Sequence, residues 1–472
     1  MQLQGGFMSK KCAVVFLLGM IFTQCVLAGT AVDSLVVGDV TVSGNHRTRS
    51  SIILRELSFS CGDTLSPLAF QNELERSRRN IMQTDLFIWV EAHADSVGEV
   101  RNVIFTVKEK LYFLPLPIFY LADRSFNEWW YNRDHDFKRV IYGVMLNHDN
   151  LTGNGDRMKV KLYGGFIPYI ELVYNRPYID KRQRMGLKAG VFYAVQRSFP
   201  YRTWEDKLDF LDTEKISKRR KGAYLEYSLR NALYHSHTFY LGLSEISVRD
   251  SVLQLNPHYF AQNERHLPFL TLSYDYRYDK RDNAFYPLDG EILTFSLTHY
   301  SFLRGNQTNH LRIGGQYFKF FPLGNKFFGD IRLRGQLSFP QKQLYPFVLG
   351  LGYNNTFVRG YELNVIDGQH TALMQNDLKY QIFKKKIDLS HIIKWRQFNS
   401  MPLGIYAKVF FDLGYSRNFH PEYSQSILSN KLLFGYGAGI DLATFYSTVL
   451  KLNYSVNQSG FNKLYFGVQR SL

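Results

Sequence analysis

Ile292-Leu293-Thr294-Phe295-Ser296-Leu297-Thr298 is the stretch that decides the fold. In an extended chain Leu293, Phe295 and Leu297 share one face while Thr294, Ser296 and Thr298 share the other, because successive side chains of a strand point to opposite sides. The pattern recurs upstream, where Met158, Val160 and Leu162 alternate with Lys159, Lys161 and Tyr163. Downstream, Leu450, Leu452, Tyr454 and Val456 alternate with Val449, Lys451, Asn453 and Ser455. Gly, Asn and Asp turns separate such segments over some 360 residues, from Tyr112 to Leu472. Alternation sustained at this length is the signature of a β-barrel that crosses a bilayer with strands. A soluble β-sandwich alternates too, but does not ordinarily continue so far.

Composition points the same way. The 472 residues include 38 Phe, 32 Tyr and 5 Trp but only 3 Cys, and 21% are charged. Neither a disordered chain nor a disulfide scaffold has that profile. After the first 28 residues no apolar run approaches the roughly 18 to 20 residues that a membrane helix needs. Mean hydropathy is −0.24. Helical membrane proteins are therefore excluded, whereas barrel strands average a lipid-facing and a lumen-facing side to such a value and carry aromatic girdles.

At the N-terminus Lys10 and Lys11 precede an apolar run from Cys12 to Phe22, and Val26-Leu27-Ala28 suits a signal peptidase. Residues 1–28 read as a signal peptide cleaved after Ala28. Gln24 argues against Cys25 as a lipoprotein cysteine. Cleavage reduces the net charge from +16 to +14 and leaves Cys61 without an intramolecular partner. A buried, small apolar thiol is the expectation for it.

Residues 34–111 read as one compact βααββ unit. Val36, Val40 and Val42 form a strand that stops at Gly44-Asn45, and a helix spans about Ile52 to Leu57 before Gly62-Asp63. Ser66 caps a second helix with Pro67 in its first turn, and Phe70, Leu74, Ser77 and Ile81 share one face. Two strands follow, with Leu86, Phe87 and Val90 in the first and Val103, Phe105 and Val107 in the second.

This order of signals resembles a POTRA domain, the periplasmic module of the BamA/TamA-like outer-membrane assembly superfamily. Gly44-Asn45, Gly62-Asp63, Leu86-Phe87 and Val107-Lys108-Glu109 sit at family-like spacing. The resemblance implies an exposed sheet edge that takes up an incoming extended polypeptide by backbone hydrogen bonds. We place that edge at Phe87, Ile88, Trp89, Val90 and Glu91, running on to His93. An edge that is merely solvated or packed fits the residues equally well.

Residues 112–472 carry further family-like islands. Asn150-Leu151-Thr152-Gly153-Asn154-Gly155 resembles the turn after the first strand, and Tyr174 to Tyr178, with Pro177, resembles a strand end. Asp279-Lys280-Arg281-Asp282 with Pro287 and Gly290 is similar to a repeated strand-to-strand turn. The resemblance implies sixteen strands. The expected fold is thus mainly β: a 16-stranded transmembrane barrel preceded by one small α+β POTRA domain. The first barrel strand is expected around Arg139 to Leu146 and the last around Lys463 to Gln469.

From about Gln341 to Ala372 alternation is lost for some 30 residues, a length that marks a functional or disordered connection. Within it Val358-Arg359-Gly360-Tyr361-Glu362 resembles the tip of the superfamily's sixth extracellular loop, which folds back into the lumen. The strands beyond it supply partners. Asp377 falls on the face opposite Leu378, Tyr380 and Ile382, while Lys408 and Asp412 fall opposite Ile405, Ala407, Val409 and Phe411. Both carboxylates are therefore expected in the lumen. A guanidinium at Arg359 can bridge Asp377 and Asp412, Gly360 permits close backbone approach, and Tyr361 can pack beneath the loop.

Other motifs carry no chemistry. Gly435-Tyr436-Gly437-Ala438-Gly439 is followed by Ile440 where a dinucleotide loop needs its third fingerprint glycine, and it lacks the βαβ context, so it reads as a crowded strand of small residues. His235 and His237 read as solvated loop histidines. Lys218-Arg219-Arg220-Lys221 reads as a loop cluster that meets lipid phosphates or water, not nucleic acid. No catalytic string, metal site or cofactor is expected, and the chain does not read as an enzyme.

The resemblance implies an outer-membrane protein assembly or insertion factor whose partners are unfolded outer-membrane or secreted polypeptides, outer-membrane lipids and, in some assemblies, accessory lipoproteins. A secretion pore for one dedicated protein, as in two-partner systems, and a passive channel remain open alternatives. The expected location is the outer membrane of a Gram-negative-type bacterium, with the POTRA domain in the periplasm.

Overall fold

The computed structural model describes residues 34–470, apart from 98, 181, 262–263, 306, 354–355, 389–399 and 445–447. The expected signal peptide lies outside the described residues.

The N-terminal unit contains β1 (Leu35–Ser43), α1 (Ser50–Leu54), β2 (Thr64–Leu65), α2 (Pro67–Gln83), β3 (Phe87–Val97) and β4 (Val100–Glu109). Its sheet runs β2-β1-β4-β3, with β1 parallel to β4 and β3 antiparallel to it. Ser66 caps α2 by accepting the Ala69 N–H at 3.3 Å. The buried stripe of α2 is Phe70, Leu74, Ser77 and Ile81. Its single polar member is satisfied, since the Ser77 hydroxyl accepts the Ser58 N–H at 3.0 Å. Gly44 turns with φ of +87°, and a Cβ there would stand 2.1 Å from the Val107 carbonyl oxygen, so the turn requires glycine. Two details differ from expectation. The first helix is one turn, Ser50–Leu54, and Cys61 is exposed. Cys61 lies in a tight Ser60-to-Asp63 turn closed by two hydrogen bonds between its ends, which leaves a thiol no apolar pocket to enter.

The second unit begins with β5 (Phe113–Leu121), α3 (Phe126–Asn132), β6 (Val140–Asp149), β7 (Arg157–Gly165), β8 (Tyr169–Arg176) and β9 (Met185–Gln196). A separate hairpin, β10 (Phe199–Trp204) with β11 (Lys207–Leu211), follows. Then come β12 (Lys218–Ala232), β13 (His235–Val248), α4 (Asp250–Leu255), β14 (His266–Asp279), β15 (Gly290–Phe302) and β16 (His310–Gly324). The chain closes with β17 (Phe327–Phe339), β18 (His370–Asp388), β19 (Ser400–Arg417), β20 (Leu432–Ala443), β21 (Thr448–Asn457) and β22 (Asn462–Arg470). All but β10 and β11 join one 16-stranded antiparallel sheet whose order follows the sequence from β5 to β22.

Burial in this sheet is inverted relative to a soluble protein. Leu333, Leu378, Val409 and Ile440 are 42 to 53% exposed, while Asp330, Asp377, Lys408 and Asp441 on the other face are 1 to 5% exposed. An apolar outside with a charged inside is the arrangement of a transmembrane barrel, where lipid solvates the outer face.

The first strand of the barrel is β5, and Arg139 to Leu146 falls at and within the second, β6. Pro115 and Pro117 hide β5 in the sequence, because proline in a strand is tolerated only at an edge. His235 and His237 are not loop residues: they open β13 and hydrogen-bond the phenols of Tyr276 and Tyr274 at 2.8 and 2.9 Å. Lys218 to Lys221 likewise begin β12, paired on both sides, so their charge lies along a strand instead of in a loop.

Candidate functional site

Three features of the structure are candidates for function: the loop tip with its partners, the free edge of β3, and the junction of the first and last barrel strands.

Between β17 and β18 the chain runs from Pro340 to Gln369 before alternation resumes. Its tip is seated on the inner face of β18, β19 and β20. The Arg359 backbone N–H and Nε both donate to Asp412 Oδ2, at 3.0 and 2.8 Å, and one terminal nitrogen reaches Asp412 Oδ1 at 2.5 Å. The other terminal nitrogen reaches Asp377 Oδ1 at 2.5 Å. The guanidinium also stacks over the Phe410 ring, 3.9 Å from its centre. One arginine thus joins the loop to two neighbouring strands. Burial opposes its charge, but Asp377 and Asp412 outweigh burial and hold its pKa above the ordinary arginine range.

Small residues make the seat. Gly360 has φ of +98°, and a Cβ there would stand 3.1 Å from Asn457 Cβ. On β20 a Cβ at Gly435 would stand 1.7 Å from the Arg359 carbonyl oxygen, and on β19 one at Gly414 would stand 2.3 Å from the Val358 side chain. Gly435 thus makes room for the loop tip, a role invisible in the local sequence. Tyr361 is buried with Leu351, Val358, Ile366, Leu373 and Leu433. Glu362 accepts the Gly360 N–H at 2.6 Å, and burial pushes its carboxyl up to about 8.

The charges around the tip form a connected set. Arg332 contacts Asp377 and Asp330, both at 2.9 Å, and Lys379 reaches Asp330 at 2.7 Å. Lys408 pairs with Asp441 at 2.7 Å, and the Tyr286 hydroxyl donates to the same carboxylate at 3.0 Å. Gln375 donates to the Phe357 carbonyl at 3.2 Å and to Asp412 at 3.4 Å. The sequence reading missed Asp330, Arg332, Gln375 and Asp441. Alternation in Asp330-Ile331-Arg332-Leu333-Arg334 gives their face, but only strand register gives their partners.

The residues expected on the strand-adding edge lie in β3, whose one neighbour among the described residues is β4. Phe87 and Val90 are buried in the core, while Ile88, Trp89 and Glu91 are exposed. Pairing with β4 slips by one residue between Phe87 and Trp89, so the edge starts with a bulge.

At the barrel junction β5 and β22 make no ladder among the described residues, and they stand at the two ends of the sheet. A cavity of about 530 Å³ lies inside, lined from the loop tip by Arg359 and Glu362 and from the junction by Asn127 and Phe466. No metal-binding cluster occurs among the described residues.

A family model for the Omp85 superfamily domain matches residues 150–468, and a POTRA model, described as a surface antigen variable number repeat, matches residues 35–110. No curated protein matches the chain. Among solved structures it is similar to BamA from Haemophilus ducreyi lacking POTRA domains 1-3, at 14% identity and a TM-score of 0.67, over 92% of this chain and 84% of that one. CdiB from Acinetobacter baumannii matches at 13% identity and a TM-score of 0.47, over 92% of this chain and 73% of that one. CdiB from Escherichia coli matches at 11% and 0.47, over 98% of each. A likeness at such identities is one of fold. With the superfamily model spanning about two thirds of its length and a POTRA module ahead of a sixteen-stranded sheet, this chain belongs to the Omp85 superfamily.

Proposed function

We propose that the protein assembles or inserts other proteins in the outer membrane of a Gram-negative-type bacterium, with its POTRA domain in the periplasm. The observation that carries this reading is the junction of β5 and β22. Every other neighbouring pair in the sheet is zipped by a registered ladder, while this one is not. A sheet that leaves two strand edges unpaired offers templates for another chain and parts there at the lowest cost.

The remaining features have roles in the same scheme. The free edge of β3, at Phe87 to Glu91, receives an unfolded client in extended form, with backbone hydrogen bonds making few demands on its sequence. The Arg359 pin ties the loop to β18 and β19, so that part of the wall stays rigid while the junction opens. No covalent step is needed. Clients are unfolded outer-membrane polypeptides, and the lipid around the barrel is the medium they enter.

Depleting the protein and quantifying the outer-membrane proteome tests the reading. Broad loss of barrel proteins is the expected result. Loss of one secreted protein would instead assign the chain to dedicated export, and an unchanged proteome would leave it a passive barrel.

A further inference from the structure

Lys218-Arg219-Arg220-Lys221 opens β12, and the two-residue period of a strand divides the run between the two faces of the barrel wall. Lys218 and Arg220 turn inward, where the Lys218 ammonium lies 5.0 Å from the centre of the Phe199 ring and the Arg220 guanidinium 5.9 Å from that of Phe192. Arg219 and Lys221 share the outer, lipid-facing side with Ala223 and Leu225, and all four are exposed.

Register gathers two more arginines around Arg219. It stands opposite Val195 of β9 on one side and Ser247 of β13 on the other, so neither cross-strand neighbour offers a carboxylate. Arg197 and Arg249 follow those two neighbours by two residues each and keep their outward direction. The pairing continues up to them, since the Ser217 N–H donates to the Gln196 carbonyl at 3.0 Å and the Arg249 N–H to the Ser217 carbonyl at 3.1 Å. Each is thus a diagonal neighbour of Arg219, at about 7 to 8 Å along the sheet, well within reach of an arginine side chain.

The local carboxylates are engaged elsewhere. Glu245 takes Lys221 at 3.3 Å and His266 at 3.2 Å, and Asp250 takes Arg265. Arg197 donates to the Glu214 backbone carbonyl at 3.0 Å. Among the described residues Arg197, Arg219 and Arg249 make no ion pair, and all three are exposed. Directly below them on the same face the wall turns apolar, with Tyr193, Val191, Leu225, Leu243 and Leu241 exposed. At the corresponding ends of β16 and β17 the outward residues are Leu311, Leu337 and Phe339, so the charge is confined to one sector of the rim.

Antiparallel order fixes which rim this is. The chain enters the sheet at the start of β5, and the end of β9 and the start of β12 lie at the opposite end. With entry from the periplasm, that end meets the outer leaflet.

We infer that Arg197, Arg219 and Arg249, with Lys221 beside them, bind the phosphate groups of a phosphorylated glycolipid in the outer leaflet, whose acyl chains lie on the apolar wall beneath. The inference rests on the location proposed above for the choice of leaflet, and adds the lipid group recognised and the residues that recognise it. Guanidinium groups hold phosphate oxygens through paired hydrogen bonds, and basic clusters at a bilayer surface draw anionic headgroups. Three guanidinium groups offer more donors than one phosphate can use, which favours a lipid that carries two.

The test is native mass spectrometry of the full mature chain in detergent. It is titrated with bisphosphorylated lipid A, with the same glycolipid stripped of phosphate, and with phosphatidylglycerol. The bisphosphorylated form is expected to bind at least about tenfold more tightly than the stripped form, with phosphatidylglycerol between them. Arg197→Gln with Arg219→Gln and Arg249→Gln should abolish that preference while the folded band on an unheated gel is kept. Lys384→Gln with Lys385→Gln, which removes exposed cations from the other end of the barrel on β18, should leave the preference intact. Equal binding of the stripped glycolipid, a triple variant with the wild-type preference, or an equal loss in the Lys384 and Lys385 variant would overturn the site. Phosphatidylglycerol binding as tightly as lipid A would overturn the glycolipid as its occupant. Lipid binding in detergent is read without any client, so its failure is distinct from an unchanged proteome on depletion.

Discussion

Arg359 reaches one carboxylate on β18 and one on β19 while its own backbone N–H bonds the second, so its removal strands charge that water does not reach freely. Asp377 keeps Arg332 as a partner, whereas Asp412 loses its only described cationic partner and keeps the residue-359 backbone N–H and Gln375. Arg359→Ala should therefore destabilise the barrel by about 3 to 5 kcal/mol, less wherever lumen water screens the pair. It should also lower the temperature at which the folded band is lost on a detergent gel. Asp412→Ala should do similar damage, and the double change should cost well under the sum of the singles, since the two share one interaction. Additive losses would show that the loop is held elsewhere. Gly435→Ala should displace the tip without touching a charge, because the new Cβ would meet the Arg359 carbonyl oxygen; a gel midpoint unchanged from wild type would count against that contact. Glu362 supplies a pH dependence. Its folded carboxyl keeps a proton up to about pH 8, while in the unfolded chain it ionises near 4.5. The stability this contributes is full below pH 4.5 and is lost as pH rises through 8. Glu362→Gln should flatten that decline in the gel midpoint, and an identical pH profile would remove Glu362 as its source.

Among the elements, β3 and the long connection differ in how far local pattern reveals them. The N-terminal strands and α2 follow their apolar spacing closely, since each buries one face against a small core and needs no distant partner to define it. β5 was not legible, because its two prolines argue against a strand until the sheet shows it lying at an edge. α3 was not legible either. Its seven residues have too few turns for a periodic signal, and what fixes it is the edge of β22 more than 300 positions away in sequence. For β3, deletion of residues 34–111 should leave a barrel that still inserts but no longer supports client assembly. Full activity of that truncation, read by the outer-membrane proteome, would take the POTRA edge out of the mechanism.

Taken whole, the mature protein should begin at or near Gly29 and migrate faster unheated than boiled, because a barrel resists unfolding until heated; recovery from the soluble periplasmic fraction would contradict the barrel. Sequence by itself determined the class of solvent on each face. Period-two alternation is a property of the strand alone, and it placed Asp377 and Asp412 opposite Leu378 and Val409 before any neighbour was known. It determined the POTRA unit for the same reason, as its signals are turn residues and short apolar stripes. Tertiary structure decided what alternation cannot encode. Which lumen charge meets which depends on register between strands, so the pairing of Arg332 with Asp330 and Asp377, and of Lys408 with Asp441, exists only once the ladders are set. It also decided that β5 and β22 stay unzipped while side chains of α3 bond the edge of β22, because edge pairing is a contest among distant backbone groups that local sequence does not encode.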